Sequence, residues 1–246
     1  MKSVAVHAAG SLRSAFNTIG AAFVAAHPGS AVRLDFGPSG LLKDRLMTAA
    51  GGGVFASANM EHPEALARAG RAGPVQSFAR NVLCALVAPG IELTTATLVE
   101  RMLDPAVTLG TSTPKADPSG DYAWELFDRI ERSGVVGARA WLEAKAMQIV
   151  GGSMAPPSES RLGSTYARLL GSGQADVVLT YCTNATQAVS ENPALRIVDV
   201  PRAIQVGTRY GVTVLTGSDA SAPEFVDFLL GERGQALLAG QGFGTP

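Results

Sequence analysis

The chain reads as an α/β protein with a mainly parallel sheet, and three observations predict it. Short apolar runs rich in Val, Leu and Phe alternate with helical patterns along the whole 246 residues. The apolar fraction of 46% is enough for a sizeable core and excludes a disordered chain. Most helical patterns close on glycine, as in Gly70, Gly134 and Gly171, so element ends are marked in the sequence. The local pattern alone leaves one wide sheet and two lobes joined by crossing strands both open.

SVAVHAAG is a buried strand, and Leu12, Phe16, Ile19 and Phe23 then recur at helical spacing on one face. AVRLDFG alternates Val32, Leu34 and Phe36 as a second strand, and Leu42, Leu46 and Ala49 begin the next helical stripe. GGGVFASAN is a third strand and HPEALARAG a short helix. NVLCALVAPG is a continuous apolar run suited to a strand covered on both faces. AVTLG is a strand, YAWELFDRIERSG a helix, ARAWLEAKAMQIV another helix, TYARLLGSG a further one and DVVLTY a strand. GVTVLTG is the closing strand, and APEFVDFLLGERGQALLAGQGFG a helical pair. There is no internal repeat and no low-complexity linker.

Several function classes fall away. Twenty Lys plus Arg against twenty-one Asp plus Glu leave no basic excess for nucleic acid. An aromatic content of 6% removes the stacking platforms of a single-strand binder. No apolar run approaches the roughly 18 residues of a spanning helix. His7, His27 and His62 are too far from one another and from Cys84 and Cys182 for a zinc site. The two cysteines lie in apolar runs and read as buried free thiols. There is no G-x-S-x-G elbow and no Walker loop, so no catalytic group stands out.

What recurs is a strand ending in small residues, then a serine, then a helix: VAVHAAG before Ser11, and LDFGP before Ser39. One reading is a helix cap, with the hydroxyl accepting from a first-turn N–H. The other is an anion site, because a helix start offers unpaired N–H donors and a partial positive charge. Two such ends on adjacent parallel strands lie together at the carboxyl edge of the sheet, where α/β proteins bind ligands. A third candidate is the segment from Lys115 to Ala123, with Pro118 presetting a turn, Ser119, and Gly120 permitting close backbone approach to a ligand. The fourth is Tyr181 at the end of DVVLTY. These donors are neutral and suit a fully ionised oxyanion, which accepts hydrogen bonds and has no proton to give.

In their order, these motifs resemble the periplasmic molybdate-binding proteins, the substrate-binding components of molybdate ABC transporters. The resemblance runs through VAVHAAGSLRSAF, FGPSGLLKDRLMTAAGGGVFASAN, NVLCALVAPG, DPSGDYAWELF, GSGQADVVLTYCTNA, RYGVTVLTG and APEFVDFLLGERGQALLAGQGF. It implies a two-lobed periplasmic binding protein of type II, each lobe a mainly parallel sheet flanked by helices and the ligand in the interlobe cleft. Residues 1–82 and 201–246 would form the first lobe, and 83–200 the second. It gives Ser11 and Ser39 as hydroxyl ligands, Ser119 as a backbone N–H donor and Tyr181 as a phenol donor. Gly10 and Gly40 flank the serines. A further N–H donor would fall between Ser158 and Ser164, with Glu159, Ser160 and Gly163 as its neighbourhood. That stretch is longer than is usual in the family and lacks the expected Val-Arg pair.

Gly53 and Asn59 stand where the family tends to have Asp. In an archaeal-type branch, an Asp before Pro and a Glu before the later helix coordinate the metal of the oxyanion. Asp117 is similar and Glu159 a looser match, so these carboxylates either cap helices or reach the ligand. The resemblance further implies a monomer that is not an enzyme and has no resident cofactor. It would carry molybdate or tungstate to a membrane permease from the periplasm, with a leader removed from this chain. Open alternatives are a sulfate-like oxyanion or another small anion on the same scaffold, a serine-dependent enzyme with Ser11 or Ser39 as nucleophile, and an effector-binding module.

Overall fold

The computed structural model describes residues 2–49, 51–151 and 164–246. In chain order the elements are β1 (Lys2–Ala9), a 3-10 turn (Gly10–Leu12), α1 (Arg13–Ala26), β2 (Ser30–Gly37), α2 (Ser39–Thr48), β3 (Val54–Ser57) and α3 (Glu61–Arg68). Then come β4 (Gln76–Val87), α4 (Leu98–Leu103), β5 (Leu109–Ser112), α5 (Pro118–Arg132), α6 (Ala138–Lys145) and β6 (Met147–Val150). The last are α7 (Thr165–Gly171), β7 (Val177–Tyr181), α8 (Cys182–Glu191), β8 (Arg196–Asp199), β9 (Gly207–Val214), α9 (Ser221–Leu230) and α10 (Glu232–Gly240). This is the α/β class expected. The chain forms two compact units, Met1–Asn81 with Thr208–Pro246, and Val82–Gly207.

In the first unit β1 pairs parallel with β2 and with β3, and β3 pairs antiparallel with β9. Val54 and Phe55 are consecutive on β3 and both fully buried, so both faces of this sheet are covered. Phe55 packs with Leu42 and Leu46 of α2 and Leu66 of α3. A separate aromatic cluster ties α1 to α9 and the sheet: Phe16 meets Phe78 at 5.9 Å between ring centroids, and Phe23 meets Phe225 at 5.3 Å. Geometry of this kind adds about 0.5–1.5 kcal/mol per pair beyond area burial.

In the second unit the strand order is β8-β4-β7-β5-β6. β4 is antiparallel to both β7 and β8, while β5 is parallel to β7 and β6. α5 places Leu126, Phe127 and Ile130 in the core, at the i, i+1, i+4 positions of one face.

One element differs from expectation. ARAWLEAKAMQIV is not a single helix: α6 stops at Lys145, Ala146 is extended (φ −65°, ψ 119°), and Met147–Val150 is the strand β6. The β-branched Ile149 and Val150 favour extended backbone, and pairing with β5 supplies the ladder bonds that a longer helix would have made internally. The short helix α4, the helix α8 and the edge strand β8 carried too little pattern to be anticipated.

Candidate functional site

The first unit gathers its small-residue strand ends at one edge. Ala9 of β1 pairs with Gly37 of β2, so Ser11 and Ser39 lie equally far past the edge on neighbouring parallel strands. Neither hydroxyl caps a helix, which removes the capping reading for both. Ser11, half-buried in the 3-10 turn, has its Oγ 3.0 Å from the phenol oxygen of Tyr210 on β9. Tyr210 is fully buried and also accepts from Asn81 Nδ2 at 3.3 Å. Ser39 is the first residue of α2 and 1% exposed; its Oγ accepts from the Ala58 N–H at 3.1 Å.

The first N–H groups of α2, those of Ser39, Gly40 and Leu41, have no intrahelical partner and no side-chain cap. Gly10, at the start of the 3-10 turn, is exposed, and a Cβ there would meet open space. This edge therefore presents a hydroxyl and unpaired backbone donors, with Arg13 held nearby over the Phe36 ring at 4.4 Å.

The departures Gly53 and Asn59 have local causes. Gly53 has φ +138°, and a Cβ there would lie 2.4 Å from the Ala5 carbonyl oxygen. Asn59 accepts through Oδ1 from Ser57 Oγ at 2.9 Å and from the His62 N–H at 3.1 Å, the bonds a carboxylate would accept there.

In the second unit Asp117 is the N-cap of α5, with Pro118 in the first turn. Its Oδ1 accepts from the Ser119 backbone N–H and from Ser119 Oγ, both at 2.9 Å. The N–H expected to serve a ligand is thus bonded to the protein's own carboxylate. Burial pushes the Asp117 carboxyl above its ordinary range, against the bonds from Ser119, and the charge of Asp121 adds to the rise. Ser119 Oγ also lies 2.7 Å from Ser112 Oγ, whose hydroxyl can donate to it. Gly120 does allow close approach, but to the chain itself: a Cβ would lie 2.6 Å from the Ser112 oxygen and from Pro114 N.

Tyr181 ends β7, pairs with Leu83 of β4 and is 1% exposed, with its ring 6.3 Å from that of Tyr122 in α5. Glu159, Ser160 and Gly163 lie outside the described residues. Ser164 caps α7 by accepting from the Ala167 N–H at 3.4 Å, and its own N–H is bonded to the Glu191 carboxylate.

Sequence reasoning missed a polar chain beside Ser119. Ser112 Oγ lies 3.5 Å from the Tyr166 phenol, which lies 3.5 Å from Asn184 Nδ2, and Asn184 donates to Thr180 Oγ1 at 3.1 Å. Burial raises the Tyr166 phenol and the charge of Asp117 adds to it, so Tyr166 stays protonated. The available signal was weak: a tyrosine within an apolar run carries a hydroxyl that needs a partner when buried. Tyr210 in RYGVTV was missed for the same reason. The partners of Ser11 and Ser39 are a phenol and an amide, so neither serine is bonded to a general base.

Residues 4–244 match the family described as bacterial extracellular solute-binding protein. The chain belongs to that family. Among its relatives, an uncharacterized protein of Pasteurella multocida is 34% identical, the match covering 91% of this chain and 90% of that one. The molybdate-binding protein ModA of Mycobacterium tuberculosis is 28% identical across all of this chain and 85% of its own length. Two solved structures share the fold of this family member. The periplasmic molybdate-binding protein of Azotobacter vinelandii matches with a TM-score of 0.77 at 18% identity, over 99% of each chain. The sulfate-binding protein SubI of M. tuberculosis matches with a TM-score of 0.79 at 16% identity, over 99% of this chain and 86% of that one. The family and these neighbours are substrate-binding proteins rather than enzymes. Among the described residues no helix is long and apolar enough to cross a membrane, and no cluster of three or more His, Cys, Asp or Glu could hold a metal ion.

Proposed function

We propose that this solute-binding protein captures molybdate or tungstate as the bare dianion, using uncharged donors, and delivers it to the membrane permease of an ABC transporter. The observation that carries the reading is the edge of the first unit. Two serine-bearing helix starts stand side by side there, with neither hydroxyl spent on capping. In this reading Ser11 and Ser39 bind oxyanion oxygens together with the backbone at Gly10 and Gly40. Ser119, its N–H exchanging the Asp117 carboxylate for an oxyanion oxygen, and Tyr181 supply the donors of the second unit, and a donor from the stretch holding Glu159, Ser160 and Gly163 completes the set.

Neutral donors hold a dianion without a counter-charge when each oxygen is fully hydrogen-bonded. The molybdate-binding names among the relatives support the choice of ligand. The protein acts as a periplasmic monomer without a resident cofactor.

A second reading, sulfate as cargo, is favoured by the likeness to SubI. The two dianions share shape and charge, so discrimination rests on site dimensions at the scale of hydrogen-bond lengths. Isothermal calorimetry with molybdate, tungstate, sulfate and phosphate separates them. Molybdate and tungstate are expected to bind tightest. Preference for sulfate supports the second reading, and a folded sample that binds none of the four defeats both.

A further inference from the structure

The partner of Ser11 is itself held in place. Tyr210 lies on β9 one residue before Gly211, which pairs with Ser57 at the carboxyl end of β3. Its ring is fully buried and meets Phe78 and Phe243 edge-on, at centroid separations of 6.0 and 5.4 Å. Asn81 on β4 is buried too, and its neighbour Arg80 exchanges both backbone bonds with Gly244 at 2.9 Å. Three polar groups of the first unit then form a chain. Asn81 Nδ2 donates to the Tyr210 oxygen at 3.3 Å, and that oxygen lies 3.0 Å from Ser11 Oγ. Among the described residues Ser11 Oγ has no other partner.

We infer that Tyr210 is a positioning residue which, with Asn81 behind it, turns the Ser11 hydroxyl into a fixed donor and so restricts this position to an unprotonated ligand oxygen. The inference rests on the proposed oxyanion reading, in which Ser11 meets the ligand. A hydroxyl carries one proton and two lone pairs, whereas an amide N–H only donates. The Tyr210 oxygen accepts from Asn81, and its own proton passes to Ser11 Oγ. The Ser11 proton is then left for the ligand. Each bond in such a chain polarises the next, which strengthens the last donor. Ser39 has the same polarity, because its Oγ accepts the Ala58 N–H at 3.1 Å and keeps its proton for the ligand. A protonated ligand oxygen at Ser11 sets proton against proton, a mismatch that discriminates against it. Molybdate, tungstate and sulfate carry no proton at neutral pH; inorganic phosphate does.

The test measures molybdate and inorganic phosphate binding by isothermal calorimetry at neutral pH on the wild type, Tyr210→Phe, Ser11→Ala and the double variant, with Tm for each. Phenylalanine keeps the ring between Phe78 and Phe243 and removes the hydroxyl alone. In the wild-type background Tyr210→Phe is expected to weaken molybdate binding roughly three- to tenfold, the worth of one ordinary hydrogen bond. It is also expected to narrow the preference for molybdate over phosphate. In the Ser11→Ala background the same change is expected to alter molybdate affinity by less than about twofold, because the hydroxyl it positions is gone. Asn81→Leu, which removes the donor behind Tyr210, goes through the same cycle and is expected to show the same dependence on Ser11. A purely structural role costs the same in both backgrounds, and that additivity would overturn the inference. So would a Tyr210→Phe protein with wild-type affinity for molybdate. A wild type that binds no anion, or a Ser11→Ala variant that binds molybdate as well as the wild type, would overturn the oxyanion reading and the inference with it.

Discussion

Asp117 offers the sharpest test of how the second unit is built. Its Oδ1 accepts two bonds from Ser119, each 2.9 Å long, and so closes the first turn of α5. Bonds to a charged acceptor are worth about 1.5–3 kcal/mol each, but burial of the carboxylate works against them, as the raised carboxyl shows. The net is that of an ordinary N-cap, about 1 kcal/mol. Asp117→Ala is therefore expected to lower stability by about 1 kcal/mol at neutral pH, a fall in Tm of roughly 2–4 °C. Asp117→Asn keeps an acceptor oxygen without the charge and is expected to stay within about 0.5 kcal/mol of the wild type.

The pH dependence has a definite sign. The folded state binds the Asp117 proton more tightly than the unfolded chain, whose value is near 3.8. Its contribution to stability is then fully present below 3.8 and lost as pH rises through the higher folded value. Thermal melts of wild type and Asp117→Asn across the acid range should show the asparagine variant gaining relative to the wild type as pH rises, then levelling off. An alanine variant as stable as the wild type, or a wild type that gains on asparagine with rising pH, would refute this reasoning. In calorimetry, Asp117→Ala should change oxyanion affinity by no more than about tenfold, or 1.4 kcal/mol. Complete loss of binding with folding intact would instead make the carboxylate a ligand.

Other substitutions read the remaining geometry. Ser11→Ala leaves Tyr210 its bond from Asn81, so stability should fall by less than about 1 kcal/mol while molybdate affinity falls more than tenfold by calorimetry. Ser39→Ala leaves the Ala58 N–H without its acceptor and should cost about 1–3 kcal/mol in a denaturant melt, with binding weakened as well. Gly120→Ala drives a Cβ to 2.6 Å from backbone atoms of Ser112 and Pro114 and should destabilise by about 1–3 kcal/mol, measured by urea unfolding. His62 is buried with Nε2 unpartnered, and burial followed by the charge of Lys43 lowers its pKa. Its stabilising contribution is present above 6.5 and lost as pH falls through the depressed value, so His62→Phe should flatten the stability profile below pH 6.5.

The strand-end serines were legible because the hydrophobic period switches from two to helical spacing at Ser11 and at Ser39, and that switch is local. What each hydroxyl touches was not legible. Tyr210 is nearly 200 residues from Ser11 in sequence, and only the β3–β9 pairing brings it close. Asp117 before Pro118 carried the form of a helix cap, but its hold on the N–H of Ser119 depends on backbone geometry that composition does not carry. The break between α6 and β6 was hidden because Ala146 and Met147 fit a helix equally well, and the partner strand β5 decides the matter.

A crystal structure of the protein grown with molybdate tests the central claim most directly. The account expects the oxyanion with its oxygens about 2.7–3.2 Å from Ser11 Oγ, Ser39 Oγ, the Ser119 N–H and the Tyr181 phenol, with no carboxylate on the metal. An anion bound away from Ser11 and Ser39, or a metal centre ligated by Asp117, would contradict it.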